Sequence, residues 1–415
     1  MNGNLVSPDI FLFNPSCDFA VGSGSPYWQP GKLIRTMEYD LGNLSQFLCK
    51  PGDMVLTPRL PSPHLIKALS HAGFQVPQFV EFNTHGLTHP VPEKYVNWLR
   101  PWGWSPVTHR QLSPFKPNCS RDFLASPMSE WNPQLRKSFS RDTAAAALHL
   151  ILKEDSHPSF MDPVCQPRIC RNLSDLEPLA ALWGKLMLKM PWSSSGRGLQ
   201  PITKFPPHPS LIQRISGMIR AQGHILAEPL HQKVADLAFL YEVTGDKITF
   251  SGYSRFFTDN KGQYKGNYLN GWPASFPEEI KNFAAMVEDF LPELHIRVFE
   301  RLKICDQYRG PIGVDILIFK DINGHLKINP LQEINWRYTM GNISLNIEKT
   351  LHRQSCGVLG ILFDPRTQFR ETAQMMYKTN PPILRRDKIS SGYLPLTEFT
   401  SENHFGAYIR VAKTG

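Results

Sequence analysis

The sequence predicts a mixed protein of the α/β and α+β classes, in which a small N-terminal α/β domain precedes a larger unit. Three observations support this prediction. The chain has 415 residues, which exceeds one ordinary domain of about 100–200 residues. Segments typical of strands and helices alternate at its start, as in a parallel α/β sheet. Hydrophobic residues make up 41% of the chain and charged residues 20%, enough for a buried core and against a mainly disordered chain.

The first 135 residues carry the signals of the small α/β domain. Three apolar runs predict strands, at residues 10–13, 54–56 and 78–82. Residues 64–72 predict a helix between the second and third of these strands. Residues 101–133 are rich in proline, serine and tryptophan and predict a long irregular segment. The composition changes near residue 136, where we expect a domain boundary.

Longer segments follow residue 136 and predict a second unit with its own sheets. An Ala/Leu-rich run at 144–153 predicts a helix that Ser140 or Asp142 can cap. Residues 277–303 predict a helix with a break near Pro292. The other predicted helices cover 174–184 and 210–222. The other predicted strands cover 168–171, 185–190, 225–228, 237–243, 247–257, 312–319, 325–335 and 407–411, with a hairpin turn at 321–324.

Composition and cysteine content predict the compartment of the protein and the kinds of partner it binds. No run of about 18 apolar residues occurs, and Met1 to Asp9 lacks the features of a signal peptide, so we expect no membrane span and no export. The seven cysteines are scattered without a CxxC pair, which favours free thiols in the reducing cytoplasm. The net charge of +9 is dispersed, which argues against a nucleic-acid partner and fits a basic cleft for a small anion.

The strongest chemical signal lies on the predicted hairpin. Asp315 is on its first strand, and Glu333 and Asn335 are on its second; we call these three residues the oxygen trio. Because side chains alternate with period two, Glu333, Asn335 and Arg337 share one face of the strand. Three converging oxygen ligands suit Mg²⁺ shared with substrate phosphates, and a guanidinium there can bind phosphate or carboxylate. The structural alternative is that Asp315 closes a turn and Glu333 pairs with Arg337 on the surface.

A loop of small residues follows the predicted strand at 185–190, and we call it the Ser/Gly loop. It consists of Ser193, Ser194, Ser195, Gly196, Arg197 and Gly198. Small residues let backbone N–H groups approach phosphate oxygens, and Lys189 at the strand end can neutralise an α- or β-phosphate. No GxxxxGK[ST] motif occurs, so the loop is not a P-loop. A flexible surface turn beside a lysine is the structural alternative.

In order and spacing, these motifs resemble those of the ATP-grasp superfamily. The resemblance covers roughly residues 136–350 and rests on Lys189 with the Ser/Gly loop, on the segment Glu228-Pro229-Leu230 and on the hairpin motifs. It implies a two-lobed ATP-grasp fold behind a pre-ATP-grasp α/β domain. The implied domains are 1–135 for the N-terminal domain, 136–228 for the small lobe, 229–360 for the large lobe and 361–415 for a C-terminal extension.

The resemblance assigns the clearer motifs to nucleotide and metal. Lys189 matches a strand lysine that contacts adenine and phosphate, and the Ser/Gly loop matches the flexible flap over the triphosphate. Glu228 and Leu230 match the hinge that meets adenine, although Glu228 could also be a carboxylate at the rim. The oxygen trio matches the site of one or two Mg²⁺ ions, which Mn²⁺ can replace. The implied cofactors are therefore ATP and Mg²⁺.

Three residues match the family less closely. Asp236 lies where such proteins often place an acid on the ribose hydroxyls, or it is a charge at the start of a strand. Arg255 matches a basic residue that reaches phosphate from the sheet, or it is a solvated cation on the sheet face. Arg141 loosely matches a lysine near the domain start, or its helix start is simply capped. The resemblance gives Arg337 and Arg255 catalytic roles through charge neutralisation.

Some residues near the motifs stay open between two interpretations. Trp336 stands where relatives often have a small residue or proline, and it either shapes an acceptor pocket or packs beneath the sheet. Residues 338–342 either line that pocket or form a capped connection to a helix. In the N-terminal domain, Asn14 and Asp18 are candidates for substrate contact, and Cys17 is expected to be structural.

The resemblance implies an ADP-producing ligase. Such an enzyme activates a small-molecule or peptide carboxylate as an acylphosphate and joins it to an amine or thiol. The alternatives are an ATP-grasp kinase with a hydroxyl acceptor and a non-catalytic nucleotide-binding protein. We expect neither a membrane nor a nucleic acid as partner, and homodimers are common among the relatives.

Overall fold

The structure is a computed structural model that describes residues 7–83, 86–87, 95–194, 196–260, 262–367 and 369–413. Its strands in chain order are β1 Ile10–Leu12, β2 Met54–Thr57, β3 Gln78–Asn83, β4 Gly86–Leu87, β5 Leu99–Pro101, β6 Arg168–Cys170, β7 Leu186–Lys189, β8 Leu199–Ile202, β9 Ile225–Pro229, β10 Gln232–Thr244, β11 Lys247–Thr258, β12 Tyr264–Leu269, β13 Gly310–Lys320, β14 Leu326–Asn335, β15 Ser355–Phe363, β16 Ile383–Arg385, β17 Lys388–Pro395 and β18 Phe405–Lys413.

The described helices include short and long ones. They are α1 Cys17–Ser23, α2 Lys32–Asp40, α3 Pro63–His71, α4 Pro106–Leu112, α5 Arg121–Leu124, α6 Gln134–Ser138, α7 Arg141–Glu154, α8 Leu176–Trp183, α9 Pro209–Gln222, α10 Glu278–Arg301, α11 Ile304–Gln307, α12 Met340–Glu348 and α13 Phe369–Thr379. Short 3₁₀ helices span Gly42–Leu48, Ser113–Asn118 and Pro163–Cys165.

The N-terminal sheet is parallel except at one edge. Its strand order is β4-β3-β2-β1-β5, and only the β3–β4 pair is antiparallel. The strands predicted at 10–13, 54–56 and 78–82 are confirmed, and β2 is buried along its whole length, as a covered parallel strand should be. The predicted helix is present as α3, and Ser62 caps it by accepting the N–H of Leu65.

Residues 101–133 do not form the long irregular segment that their composition predicts. They hold α4, α5 and the 3₁₀ helix between them. Ser105 and Ser120 cap the two α-helices through their hydroxyls, and Pro106 starts α4 in the first turn, where a missing N–H is tolerated. Trp104 and Phe123 of this segment are buried in the largest core. The prolines and serines therefore start helices here rather than loops.

A four-stranded antiparallel sheet has a core of its own. Its strand order is β6-β9-β7-β8. Its buried residues run from Cys170 to Ala227 and include side chains of α8 and α9. Helix α7, which precedes this sheet in the chain, packs on β14 of the largest sheet instead. The domain limits at 135, 228 and 360 stay predictions.

The largest sheet has nine antiparallel strands in the order β14-β13-β10-β11-β12-β15-β18-β17-β16. Strands β13 and β14 form the predicted hairpin, and the predicted terminal strand is present as β18. Strands β16 to β18 belong to the segment predicted as a C-terminal extension, and they continue this sheet through β15.

Helix α10 continues through Pro292 without the predicted break. A proline inside a helix costs about 3 kcal/mol, because one hydrogen bond is lost and the ring crowds the preceding turn. Leu291, Leu294 and Val298 beside it are almost fully buried in the core. Burying side chains of this size contributes about 1.5–3 kcal/mol each, which outweighs the local cost.

Two further observations concern the whole described chain. All seven cysteines are free thiols, as predicted. In the part of the chain that the structure describes, no helix is both long and apolar enough to cross a membrane.

Candidate active site

The β13–β14 hairpin brings the oxygen trio together. Asp315 pairs directly with Glu333 across the two strands, and Gly313 pairs with Asn335 two positions away. This register puts the three side chains side by side on one face, as the alternation of the sequence predicts. The Glu333 side chain is 22% exposed, so it remains accessible to a ligand. The trio is therefore partly open and not a closed structural turn.

The trio has the chemistry of a cation site. Burial and the neighbouring Glu333 carboxylate raise the pKa of Asp315 to about 7, although Arg337 and a hydrogen bond from Asn335 act in the opposite direction. Two adjacent carboxylates and an amide oxygen fit Mg²⁺, which takes oxygen ligands and completes its shell with water and phosphate. Among the described residues, no group of three or more His, Cys, Asp and Glu is arranged to hold a metal. The oxygen trio has two carboxylates, and its third oxygen would be the amide oxygen of Asn335.

Arg141, in the first turn of α7, connects the trio to the Ser/Gly loop. Its Nη2 donates to Glu333 Oε1 at 2.7 Å, and its Nη1 donates to Ser193 Oγ at 2.6 Å and to the Met190 carbonyl at 2.5 Å. The cap of α7 is Ser140, whose hydroxyl accepts a backbone N–H. The structure therefore brings Arg141 into the site, as the weak family match implied, and leaves capping to its neighbour.

Arg337 joins the trio to the N-terminal domain. Its Nε donates to Asp18 Oδ2 at 2.8 Å, its Nη2 to Asn335 Oδ1 at 2.6 Å and its Nη1 to the Tyr338 carbonyl at 3.1 Å. Burial alone would lower the pKa of Arg337, but Asp18, Cys17 and Glu333 together outweigh burial and keep that pKa above its ordinary value. Burial raises the pKa of Asp18, with Arg337 opposing. The Glu333–Arg337 ion pair of the structural alternative is not formed, because each residue has a different partner.

The first turn of α1, which carries Asp18, and the loop before it contact residues around Gly103. The Asn14 amide donates to the Gly103 carbonyl at 2.9 Å, and Gly103 forms a β-bridge with Arg337. A Cβ on Gly103 would lie 2.4 Å from Cys17 Sγ, so this position requires glycine. Asn14 thus uses its amide within the fold, whereas Asp18 reaches the site. Burial raises the pKa of the Cys17 thiol, which agrees with its expected structural role.

The predicted nucleotide residues meet between β7 and β9. Lys189 Nζ and Glu228 Oε1 are 2.6 Å apart, and their side chains are 6% and 7% exposed. Glu228 is therefore buried and is not a carboxylate at the rim. The N–H of Leu230 donates to the Lys185 carbonyl at 2.9 Å and ties the predicted hinge to β7.

Asp236 lies on the same face of the large sheet as Asp315. Asp236 pairs with Leu317 of β13, two residues beyond Asp315, and residues two apart share a face. Burial raises the pKa of Asp236, while Lys233 at 2.7 Å and Lys189 lower it. The structure thus places Asp236 with the predicted nucleotide residues.

The two limbs of the Ser/Gly loop touch each other. A Cβ on Gly198 would lie 2.1 Å from Ser193 Oγ, so only glycine fits there. Ser194 is buried, and its hydroxyl donates to the Pro15 carbonyl of the N-terminal domain at 3.4 Å. Ser195 lies outside the described residues. The loop therefore reaches both the site and the N-terminal domain.

Gly196 and Arg197 form the far turn of the loop. Gly196 has a positive φ of 74°, and a Cβ there would lie 2.5 Å from the Gly262 carbonyl oxygen. Burial lowers the pKa of the Arg197 guanidinium. This turn approaches the connection between β11 and β12.

The structure does not bring Arg255 to this site. Leu237 and Arg255 are paired across β10 and β11, on the face opposite Asp315. There Arg255 donates to Glu288 of α10 at 3.3 Å and lies over the Trp272 ring. The predicted catalytic contact with phosphate does not fit this position. The strand was predicted correctly, but the sequence did not reveal which face the helix covers.

Trp336 and the residues after it have packing and capping roles. Trp336 is 5% exposed and stacks on Phe139 with ring centroids 5.3 Å apart, which confirms packing beneath the sheet. Thr339 and Asn342 form a capping box at the start of α12, so this connection is capped as one interpretation predicted.

A cavity of about 470 Å³ lies beside Tyr338, which follows Arg337 in the chain, and Gly103, which forms a β-bridge with Arg337. Gly103 and Tyr338 belong to its wall, together with aromatic rings and an ion pair. Further wall residues are Trp98, Arg100, Trp104, Glu242 and Tyr308. Small-molecule pockets have volumes of about 300–1,000 Å³, so the cavity has room for one. Sequence reasoning missed Arg100 and Glu242, which meet at 3.4 Å only because two sheets pack together.

Comparison with known proteins shows which solved structures share this fold. No family model matches the sequence, and no curated protein has a matching sequence. The biotin carboxylase of Campylobacter jejuni, solved as a β-γ-ATP complex, superposes with a TM-score of 0.50 over 98% of this chain and 87% of that chain, at 12% identity. The chain has the ATP-grasp fold. An N5-carboxyaminoimidazole ribonucleotide synthetase with ADP gives a TM-score of 0.49 at 12% identity, covering 99% of this chain and 94% of that one.

A second synthetase extends this comparison. The N5-carboxyaminoimidazole synthetase from Staphylococcus aureus, complexed with ADP, gives a TM-score of 0.48 at 12% identity, covering 100% of this chain and 95% of that one. The superposition on the biotin carboxylase covers 98% of this chain and so takes in both the N-terminal parallel sheet and the large antiparallel sheet.

Proposed function

We propose that this chain is an ATP- and Mg²⁺-dependent ligase that produces ADP. The observation that carries the proposal is a cluster of side-chain contacts around the oxygen trio, which joins three parts of the chain. It runs from Ser193 through Arg141 to Glu333, and from Asn335 through Arg337 to the N-terminal domain. The same fold holds a β-γ-ATP in the biotin carboxylase of C. jejuni, which supports a nucleotide here.

The nucleotide would bind between the four-stranded sheet and the nine-stranded sheet. Lys189 and Glu228 supply a buried charge pair near the base, and the Ser/Gly loop supplies backbone N–H groups to the phosphates. The oxygen trio would hold Mg²⁺, which neutralises charge on the transferring phosphoryl group. Catalysis then depends mostly on position and electrostatics, and no protein nucleophile is needed.

Arg337 would orient the carboxylate substrate. A guanidinium has five N–H groups, and Arg337 uses one on Nε, one on Nη1 and one on Nη2 within the protein. One N–H remains on each terminal nitrogen to hold a carboxylate. A carboxylate oxygen attacks the γ-phosphorus, the bond from that phosphorus to ADP breaks, and an acylphosphate forms. The amine or thiol then attacks the acyl carbon, phosphate leaves with the bonding electrons, and the nucleophile loses its proton.

The cavity of about 470 Å³ is the place where we expect the acceptor. Its wall includes Tyr338 and Gly103, which are the immediate neighbours of Arg337. An acceptor there would be close to an acyl group held by Arg337.

A kinase is the second candidate, and Asp18 favours it. A hydroxyl acceptor must lose its proton during phosphoryl transfer, and Asp18 is a carboxylate beside Arg337 whose pKa burial raises. The products separate the two functions. ADP with free phosphate indicates the ligase, and ADP with a phosphorylated acceptor indicates the kinase.

A thermal-shift titration with ATP, with and without Mg²⁺, tests the nucleotide site. A ligand at 100 times its Kd stabilises the folded state by about 2.7 kcal/mol, which is a clear melting shift. We expect a Mg²⁺-dependent shift in the wild type that Glu333→Ala abolishes. Glu288→Ala is the matched control, because Glu288 also pairs with an arginine but lies on the opposite face of the sheet. No shift with any nucleotide in the wild type would rule out the proposed function, including the kinase.

A further inference from the structure

Arg141 is a buried cation that holds two parts of the candidate site at once. The residue is only 7% exposed. Its guanidinium contacts the Glu333 carboxylate of the oxygen trio at 2.7 Å. The same group contacts Ser193 Oγ and the Met190 carbonyl, which lie where β7 passes into the Ser/Gly loop. A single side chain therefore fastens the loop to the candidate metal site.

The groups around Arg141 leave one of its donors without an acceptor. Its Nε is buried and has no hydrogen-bond partner in the described part of the chain. A buried N–H without an acceptor is costly. The Nε of Arg255 is unpaired in the same way, but only Arg141 lies between the oxygen trio and the Ser/Gly loop, where a bound ligand would supply an acceptor. A phosphate oxygen has the right chemistry, because hydrogen bonds between arginine and phosphate are charge-assisted.

The two carboxylates of the trio also differ in whether a cation is paired with them. Glu333 is neutralised by Arg141, whereas Asp315 forms no ion pair within the described residues. A divalent cation at the trio and the guanidinium of Arg141 would both act on Glu333. Like charges that share one carboxylate repel each other, and burial strengthens that repulsion.

From these contacts we infer that Arg141 is the internal counter-cation of the oxygen trio, and that it exchanges Glu333 for a nucleotide phosphate when the metal and ATP bind together. This inference rests on the proposed function and adds to it a competition inside the site. Arg141 weakens the binding of a metal ion alone, because it already neutralises Glu333. It strengthens the binding of nucleotide, because it holds the Ser/Gly loop in place and its planar guanidinium can donate hydrogen bonds to a phosphate.

The two effects have opposite signs, which separates them from a structural role. If Arg141 only supported the local fold, its removal would weaken the binding of both ligands. If Arg141 is a counter-cation, its removal strengthens the binding of the metal and weakens the binding of ATP.

The test measures two affinities in parallel for each variant. Mn²⁺ alone is titrated, with free Mn²⁺ counted by electron paramagnetic resonance, and ATP is titrated calorimetrically at saturating Mg²⁺. In Arg141→Met, which loses the charge, we expect Mn²⁺ affinity to rise about tenfold and ATP affinity to fall about tenfold or more. Arg141→Lys keeps the positive charge but lacks the planar guanidinium. In this variant we expect the Mn²⁺ affinity to stay within about twofold of the wild-type value and the ATP affinity to fall.

Arg255→Met is the matched control. Arg255 is also a partly buried arginine paired with a glutamate, but on the opposite face of the sheet, so both affinities should stay at their wild-type values. Circular dichroism checks that each variant is folded.

Three results would overturn the inference. An Mn²⁺ affinity in folded Arg141→Met that is equal to or below that of the wild type would do so and would leave the proposed ligase function standing. If Arg141→Met does not fold, wild-type ATP affinity in Arg141→Lys would do so. A wild type that binds neither Mn²⁺ nor ATP would overturn both the inference and the proposed function.

Discussion

At the scale of single residues, the candidate site is a pair of adjacent carboxylates with an arginine on each side. Arg141 lies on Glu333, Glu333 lies beside Asp315, and Arg337 lies between Asn335 and Asp18. Each arginine donates a hydrogen bond to an oxygen atom of the trio, and that oxygen would otherwise be free to contact a metal ion or one of its water ligands. The arrangement therefore keeps acidic groups together before any ligand neutralises them, and this changes how they titrate.

The pKa of Asp315 predicts how cation binding depends on pH. Burial and Glu333 raise this pKa to about 7, whereas an unfolded aspartate titrates near about 3.9. Because the folded pKa is the higher one, Asp315 lowers stability as the pH rises from about 4 towards 7 in the absence of a cation. Below about pH 7 a proton competes with the metal. We expect the stabilisation by Mg²⁺ with ATP to be larger at about pH 8 than at about pH 6.

Thermal shifts at these two pH values check this expectation, with Asp315→Asn as the comparison. The variant cannot lose a proton at this position, so its smaller shift should not grow with pH. A wild-type shift of equal size at both pH values would show that Asp315 does not compete with protons for the cation.

At the scale of elements, the site depends on how closely its backbones approach. Gly103 follows β5 and bridges Arg337, which follows β14, so a parallel sheet and an antiparallel sheet meet there. The start of α1 lies against the same glycine through Cys17. Three elements therefore share one narrow contact that positions both members of the Asp18–Arg337 pair.

Gly103→Ala should disturb this contact. The added Cβ would lie 2.4 Å from Cys17 Sγ and 3.0 Å from Arg337 Cβ, and both distances require a shift. Overpacking of this kind costs about 1–3 kcal/mol of stability. Urea unfolding measures it as a lower midpoint at an unchanged slope.

Gly217→Ala is the matched control for this substitution. Gly217 lies inside α9, and a Cβ there meets nothing within 4 Å. Alanine should stabilise a helix interior by up to about 1 kcal/mol relative to glycine. Equal midpoints for Gly103→Ala and the wild type would mean that the three elements are not held as closely as the structure shows.

At the scale of the whole molecule, residues from distant parts of the chain pack into one hydrophobic core. Phe11 and Val55 of the N-terminal sheet share a buried cluster with Leu394 and Ile409 of the C-terminal strands. Strand β18 is also an inner strand of the nine-stranded sheet. The two ends of the described chain therefore stabilise each other and hold the N-terminal domain against the site.

A histidine in the other large core predicts the response of the whole fold to acid. His295 is fully buried, with Nδ1 2.7 Å from the Tyr241 hydroxyl and Nε2 2.7 Å from the Pro330 carbonyl. Burial lowers its pKa to about 4, whereas an unfolded histidine titrates near about 6.5. The folded state therefore binds fewer protons, and stability that is complete above about pH 6.5 is lost as the pH falls to about 4. This residue alone accounts for about 3 kcal/mol of that loss.

Chemical denaturation at about pH 7, 5.5 and 4 measures the loss, with His295→Gln as the comparison. The variant is less stable at pH 7 because it loses buried hydrogen bonds, but its stability should fall less steeply with acid. Parallel pH profiles for the two proteins would show that His295 does not titrate as its burial implies. The comparison isolates His295, because the buried His109 and the partly buried His231, whose pKa values are also lowered, remain in both proteins.

The sequence by itself determined the local parts of this protein. The hairpin, the spacing of the oxygen trio and the capped start of α7 follow from patterns that span a few residues. Side-chain alternation was enough to place Glu333, Asn335 and Arg337 on one face, because the period of a strand is a local property.

Only the tertiary structure decided which groups meet. Arg141 and Glu333 are 192 positions apart, and Arg337 and Asp18 are 319 apart, so no local pattern can encode either pair. The sequence placed Arg255 on the correct strand but could not show which face of the sheet it lies on, because that depends on where α10 packs. Residues 101–133 form helices because their serines and prolines start them. Helix α10 continues through its proline because burial of its apolar side chains outweighs local preference. Packing between distant segments thus decides the faces, the ion pairs and the cavity.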